Sequence, residues 1–305
     1  MLTPRPFVAA LVLALITPVA VSSAAPIDQA GWVARKQSVR LPNGITLAYA
    51  ELGNPKGEPL LLLHGFTDTS RTWTQLAPQF ERYRVLIPDL RGHGASDKPD
   101  CCYALADLAH DARLFLDAMG VEKAHVAGHS LGSMIAQAFA AEHPERVGKL
   151  VLVGSTGRAP LTRGDYLWGR VNAMTMPVAG NLEFLKEWSP TQSPNPVDPE
   201  LARWNDKEIA EVPLHVWHAV MRELVDLPIA RFGPDIRSPT LILSAEKDAL
   251  FDRSHHDALA RAIPHARSLI VPEVGHNLIL ERPQVVGPAI LNFLASPDPG
   301  RTATR

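Results

Sequence analysis

The chain has 305 residues, 46% of them apolar and 20% charged, with a formal charge of −2. That composition suits a globular protein able to bury a large core, best read as one domain carrying an insertion. No basic run reaches five residues, so nothing marks a nucleic-acid partner. The sequence contains no glycine-rich phosphate loop, Cys-x-x-Cys or His-Glu-x-x-His, so no cofactor and no metal is expected.

The N-terminus stands apart. Arg5 precedes an uncharged stretch, Pro6 to Ile27, with an apolar centre from Phe7 to Ile16 and then Ser22-Ser23-Ala24-Ala25. This is a secretory signal pattern, expected to span 1–24. Pro18 keeps the apolar segment below the roughly 20 residues of a spanning helix, so no stable membrane span is expected after cleavage. A secreted or periplasmic location follows. No cysteine follows the apolar run, which argues against a lipoprotein. The cysteines, Cys101 and Cys102, are adjacent; they cannot form a loop-closing framework, and two free thiols are the favoured state over a vicinal disulfide.

In chain order, Val39–Leu41 and Ile45–Leu52 read as a hairpin in which Asn43-Gly44 supplies the positive backbone angles. Leu60–Leu63 is apolar throughout, as in a strand buried on both faces, and ends in His64-Gly65-Phe66. A helix is predicted over Thr72–Phe80, a strand over Tyr83–Pro88 and a helix over Asp107–Met119. The strand Ala124–His129 runs into a helix starting at Leu131, and Lys149–Gly154 is the next strand. From Gly157 to Asp235 the alternation lapses into helical patches with several prolines. It resumes with the strand Thr240–Ser244, a helix from Ser254 to Ile263, the strand Ser268–Val271 and a helix from Pro283 to Leu294. Such alternation implies a largely parallel sheet covered on both faces.

Between strand and helix sits Gly128-His129-Ser130-Leu131-Gly132. The turn is so tight that side chains at its ends would collide with backbone, and the serine is pushed outward. The pattern alone arises by chance in roughly one chain in ten of this length, so its context carries the weight. In open parallel sheets reactive groups gather at the carboxyl ends of strands, and Ser130, Asp248 and His276 each follow one. They supply a nucleophile, a base able to take its proton near neutral pH, and a carboxylate that fixes the ring tautomer. Asp252 is the runner-up acid. His64 and His129 read as structural, and Asp89, Arg91 and His93 as stabilising their own turn.

On these residues the chain, from about Val39 to Leu294 without its middle, resembles the α/β-hydrolase fold family. The matching segments are His64-Gly65-Phe66, the elbow Gly128–Gly132, Asp89-Leu90-Arg91-Gly92-His93-Gly94, Asp248 and Gly275-His276. The resemblance implies about eight strands with the second antiparallel to the rest, and an oxyanion hole made by the N–H groups of Phe66 and Leu131. Ser133 stands where many relatives have glycine. Relatives that open epoxides or displace halide carry aspartate at the elbow, so Ser130 points to acyl chemistry.

The implied organisation is a core of 25–156 and 236–305 with a helical cap, 157–235. Four of the six tryptophans, Trp168, Trp188, Trp204 and Trp217, lie in that cap. Pro213 could open a helix with Leu214, Trp217, Val220, Met221 and Leu224 on one face. Trp168, Met174, Trp188 and Trp217 are the candidate substrate-binding residues; Met176 is ambiguous. The expected activity is serine hydrolysis of a small-molecule carboxylic ester or lactone with an apolar part. A carbon–carbon bond hydrolase, a cofactor-free perhydrolase and a ligand-binding receptor of the same fold are the alternatives. N-terminal sequencing of exported protein should begin at Ala25; a mature form retaining Met1 would overturn the signal reading.

Overall fold

The computed structural model describes residues 27–297, without the side chains of 182 and 189–192. The expected leader, 1–24, lies outside the described residues. Eight strands form one sheet: β1 (Gln37–Arg40), β2 (Thr46–Gly53), β3 (Pro59–Leu63), β4 (Arg84–Pro88), β5 (Ala124–His129), β6 (Val147–Val153), β7 (Thr240–Ala245) and β8 (Arg267–Val271), in the order β1-β2-β4-β3-β5-β6-β7-β8. β2 is antiparallel to both neighbours and the pairings from β4 to β8 are parallel.

Leu60 to Leu63 on β3 are fully buried, with alternate residues in two cores. Leu61 and Leu63 face α1 (Leu105–Ala118) and α2 (Leu131–Glu142), where they join Phe115, Ile135 and Phe139. Leu60 and Leu62 face Trp32, Trp73 and Phe80. Helices α3 (Tyr166–Asn172), α4 (Leu182–Gln192), α5 (Pro199–Glu211) and α6 (Leu214–Leu224) stand between β6 and β7. The chain ends with α7 (Arg253–Ala262), α8 (Leu278–Glu281) and α9 (Pro283–Ala295). Among the described residues no helix is long and apolar enough to cross a membrane.

Three local expectations change. The helix predicted over 72–80 is two separate 3-10 turns, Ser70–Trp73 and Ala77–Phe80. Pro78 has no N–H to donate to Thr74, so a continuous helical ladder cannot pass it. In the hairpin only Gly44 has a positive φ, 89°. Asn43 acts through its side chain instead, accepting the Ile45 N–H at 3.2 Å and donating to Asp111 at 2.7 Å. Cys101 and Cys102 are joined as a vicinal disulfide, against the expected free thiols. Cys102 lies in the left-handed region at φ 72°, and its carbonyl is held by Arg91 at 2.8 Å. That turn brings the adjacent side chains to the same side, which an extended backbone would not do.

The loop after β3 and the inserted α5 are tied by a buried ion pair. Arg71 reaches Glu208 Oε1 through Nη2 at 2.6 Å and Nε at 2.9 Å. Thr69 donates to the other carboxylate oxygen at 2.6 Å, and the Gln29 carbonyl accepts from Arg71 Nη1 at 2.5 Å. With the arginine fully buried, losing one partner strands a charge away from water. Glu208→Ala should lower the unfolding free energy by about 3 kcal/mol in chemical denaturation, whereas Asp257→Ala, which removes an exposed pair with Arg253, should cost under about 1 kcal/mol.

Candidate active site

β5 delivers the chain to Ser130, whose backbone lies at φ 51°, ψ −120°. Non-glycine residues rarely occupy that region, which costs of order 1–3 kcal/mol. Close packing holds it there. A Cβ at Gly128 would come 2.2 Å from the Gly132 carbonyl oxygen, and one at Gly132 would come 2.3 Å from the Leu63 carbonyl oxygen. Both glycines are therefore required by close approach and not by positive φ. Ser130 N–H donates to the Val153 carbonyl at 3.0 Å.

Asp248 follows β7 and is buried. Its Oδ1 accepts the amides of Leu250 and Phe251 at 2.9 and 2.8 Å, while Oδ2 accepts His276 Nδ1 at 2.9 Å. Burial opposes its charge, yet His276 and the two amides hold its carboxyl below the ordinary value. An ionised carboxylate only accepts, so His276 carries a proton on Nδ1, and in the neutral ring Nε2 is the lone-pair nitrogen. Nε2 is buried without a partner among the described residues. The ring is wedged between Phe251 and His129, with centroids at 5.1 and 5.2 Å. It lies against the end of β6, where a Cβ at Gly154 would come 3.4 Å from His276 Cε1. The Ser130 amide is anchored at that strand end by the preceding Val153. Asp252 is exposed and caps α7, accepting from the amides of Ser254 and His255.

The remaining polar residues of the motifs bond to main chain. His64 donates through Nδ1 to the Gly65 carbonyl at 2.8 Å and accepts the Leu90 N–H on Nε2 at 2.9 Å. His129 donates through Nε2 to the His276 carbonyl at 3.0 Å. Burial holds both rings neutral, with pKa values pushed down to about 3. Asp89 stabilises its own turn, as expected, and also reaches beyond it, as does Arg91. Asp89 pairs with Lys36 at 2.7 Å and accepts the Ser70 and Ala95 amides, both at 2.9 Å. Arg91 pairs with Asp111 of α1.

A cavity of about 680 Å³ opens over Ser130. Phe66, Leu131, Met134, Trp188, Met221, Leu224 and Phe251 form its apolar walls, and Arg158, Asp165, Tyr166, Asp252 and His255 contribute polar ones. Of the four candidate substrate-binding residues, Trp188 lines the cavity. Trp217 is fully buried behind it, edge-on to Phe66 at 4.9 Å and to Trp188 at 5.7 Å. Met174 is buried in the core and Trp168 sits under the Arg163 guanidinium at 5.9 Å. The aromatic count could not distinguish a wall from its backing. Met134, one helical turn after Ser130, and Met221 and Leu224, on the face of Trp217, were accessible to a helical-spacing argument. Arg158, Tyr166 and His255 carried no such signal.

Residues 58–283 match the family described as the alpha/beta hydrolase fold. The chain belongs to that family. Among its relatives are Lipase 1 of Psychrobacter immobilis, 31% identical over 80% of this chain and 79% of the relative. The 2-hydroxymuconate semialdehyde hydrolase of Pseudomonas putida is 30% identical over 80% and 89%. The solved enol-lactonase of Burkholderia xenovorans LB400 superposes with a TM-score of 0.76 over 85% of this chain and 100% of that one; at 18% identity it supports the fold alone. The two candidate acids, Asp248 and Asp252, separate cleanly in a test on ester hydrolysis. Asp248→Asn, which reverses the demand on Nδ1, should cost about 10³-fold or more in kcat. Asp252→Asn should leave kcat nearly unchanged; the opposite ranking would make Asp252 the acid.

Proposed function

We propose that this protein is a serine hydrolase of small carboxylic esters bearing a sizeable apolar part. The observation that carries the reading is the combination at one strand-end rim of a strained, cavity-lining Ser130 with a buried His276 whose Nδ1 is tied to Asp248. His276 Nε2 takes the Ser130 proton as Oγ attacks the ester carbonyl carbon, and the tetrahedral intermediate forms. Its oxyanion is held by the N–H groups of Phe66 and Leu131, which line the same cavity. Leu131 begins α2, so its amide is among those that a helix leaves without an internal acceptor. Collapse of the intermediate expels the alcohol, which leaves with the proton from His276. Water, deprotonated by the same ring, then releases the acid and regenerates Ser130. A lactone would follow the same course, with alcohol and acid remaining in one molecule.

The apolar walls of Met134, Trp188, Met221 and Leu224 support an acyl or alkoxy group of some length. The inserted helices supply three of those four residues and act, in this reading, as the cap. The signal pattern and the disulfide, a bond that persists in oxidising compartments, support export. Carbon–carbon bond hydrolysis is a second reading, favoured by the 2-hydroxymuconate semialdehyde hydrolase being nearly as similar as the lipase.

A fluorophosphonate probe should label the wild type and not Ser130→Ala, and p-nitrophenyl esters should give a burst. Across p-nitrophenyl acetate, butyrate and octanoate, kcat/KM should rise with chain length. Fastest turnover of the acetate would remove the apolar-substrate idea. Absence of both label and burst would favour a binding protein.

A further inference from the structure

Ser133 and Gln137 are the buried polar residues of the apolar helix α2. They lie one turn apart on the same face, and both are fully buried, as is Ser155 just beyond β6. Ser133 Oγ lies 2.5 Å from the Ser130 carbonyl oxygen and 2.7 Å from Ser155 Oγ. Gln137 Nε2 lies 3.0 Å from Ser155 Oγ and 3.2 Å from the Thr156 carbonyl oxygen.

The direction of every bond follows from the two carbonyls, which only accept. The amide nitrogen of Gln137 must face Thr156, so it donates to Ser155 as well. Ser155 must then donate to Ser133, and Ser133 to Ser130. The result is a one-way donor chain that ends on the carbonyl of the residue at the elbow. That carbonyl also receives the amides of Ser133 at 2.9 Å and Met134 at 3.2 Å.

A peptide group is planar, so the Ser130 carbonyl and the Leu131 N–H are opposite ends of one rigid plate. Holding the oxygen aims the hydrogen. Each bond in such a chain also polarises the next, by an estimated 10–30%, which makes the far N–H a better donor. We propose that Ser133, Ser155 and Gln137 are positioning residues that orient and polarise the Leu131 N–H for a developing oxyanion. The proposal rests on the reading of Ser130 as nucleophile and Leu131 as oxyanion donor. It gives a role to the hydroxyl that stands where the family's elbow usually continues with glycine. A purely structural role, gluing α2 to the end of β6, would affect stability and leave transition-state binding alone.

The test uses the mature full-length protein with a p-nitrophenyl ester and an alkyl trifluoromethyl ketone, whose adduct places an oxyanion in the hole. Ser133→Ala should lower kcat about tenfold, the scale of one hydrogen bond, with KM within about twofold of wild type. Affinity for the ketone should fall by the same factor as kcat/KM. Ser133→Thr, which keeps the hydroxyl, should recover most of the loss. Ser155→Ala, one bond further away, should lower kcat about threefold and carries the test if Ser133→Ala does not fold. Wild-type kcat and ketone affinity in Ser133→Ala, or in Ser155→Ala where that variant carries the test, would overturn the positioning role while Ser130→Ala remains dead. A wild type that neither labels with fluorophosphonate nor turns over esters would overturn the nucleophile reading, and this role with it.

Discussion

The backbone of Ser130 is the constraint on which the site depends. At φ 51° it is costly for a residue with a Cβ, and it is sustained because β5 and α2 meet with no room for side chains at Gly128 and Gly132. The turn is pinned from several directions: the amide of Ser130 to β6, its carbonyl to three donors from Ser133 and Met134, and its helix against β3. Thr67, a β-branched residue at φ 67° in the loop after β3, and Glu273, at φ 59° in the turn before His276, add further left-handed positions near the same rim. Strain of this kind persists only where the surrounding structure over-determines it, and here the surroundings are a sheet whose central strands are buried at nearly every position.

Electrostatically the rim sets the ionised, buried Asp248 beside neutral histidine rings. Asp248 keeps its charge because a ring N–H and two amides face it. His64 and His129 are kept neutral by burial and spend their protons on carbonyls of the adjoining loops. His129 thereby holds the main chain of His276. Asp68 lies 3.8 Å from the other nitrogen of His129, and burial pushes its carboxyl up to about 7.

The helices between β6 and β7 contribute Trp188, Met221 and Leu224 to the cavity over Ser130. Arg71 and Glu208 lock α5 to the loop that carries Phe66, and Trp217 presses edge-on against Phe66 itself. The helices between β6 and β7 are therefore joined to the loop after β3 through two side chains five residues apart, Phe66 and Arg71. The apolar face of α6 divides its work, its first half packing against the body and its second half reaching the cavity with Met221 and Leu224.

Most of the fold could be read from the chain alone, because strands buried on both faces appear as uninterrupted apolar runs and their helical crossovers as 3.6-residue patterns. The elbow was legible for a related reason: its glycines answer a steric demand local to a few residues. Nominating Asp248 over Asp252 needed only its position directly after a strand. What local pattern could not convey was contact between distant segments. The turn after β3 breaks at Pro78, Asn43 works by its side chain, and Cys102 turns left-handed while Arg91 grips its carbonyl. Burial of a tryptophan is likewise encoded by periodicity, but what lies on its other side is not. Only the folded chain sets Trp188 at the cavity and Trp217 behind it, and only there do Ser133, Gln137 and Ser155 line up on one carbonyl. Hydrogen bonds and packing partners are properties of three-dimensional neighbours, and those come into existence with the tertiary structure.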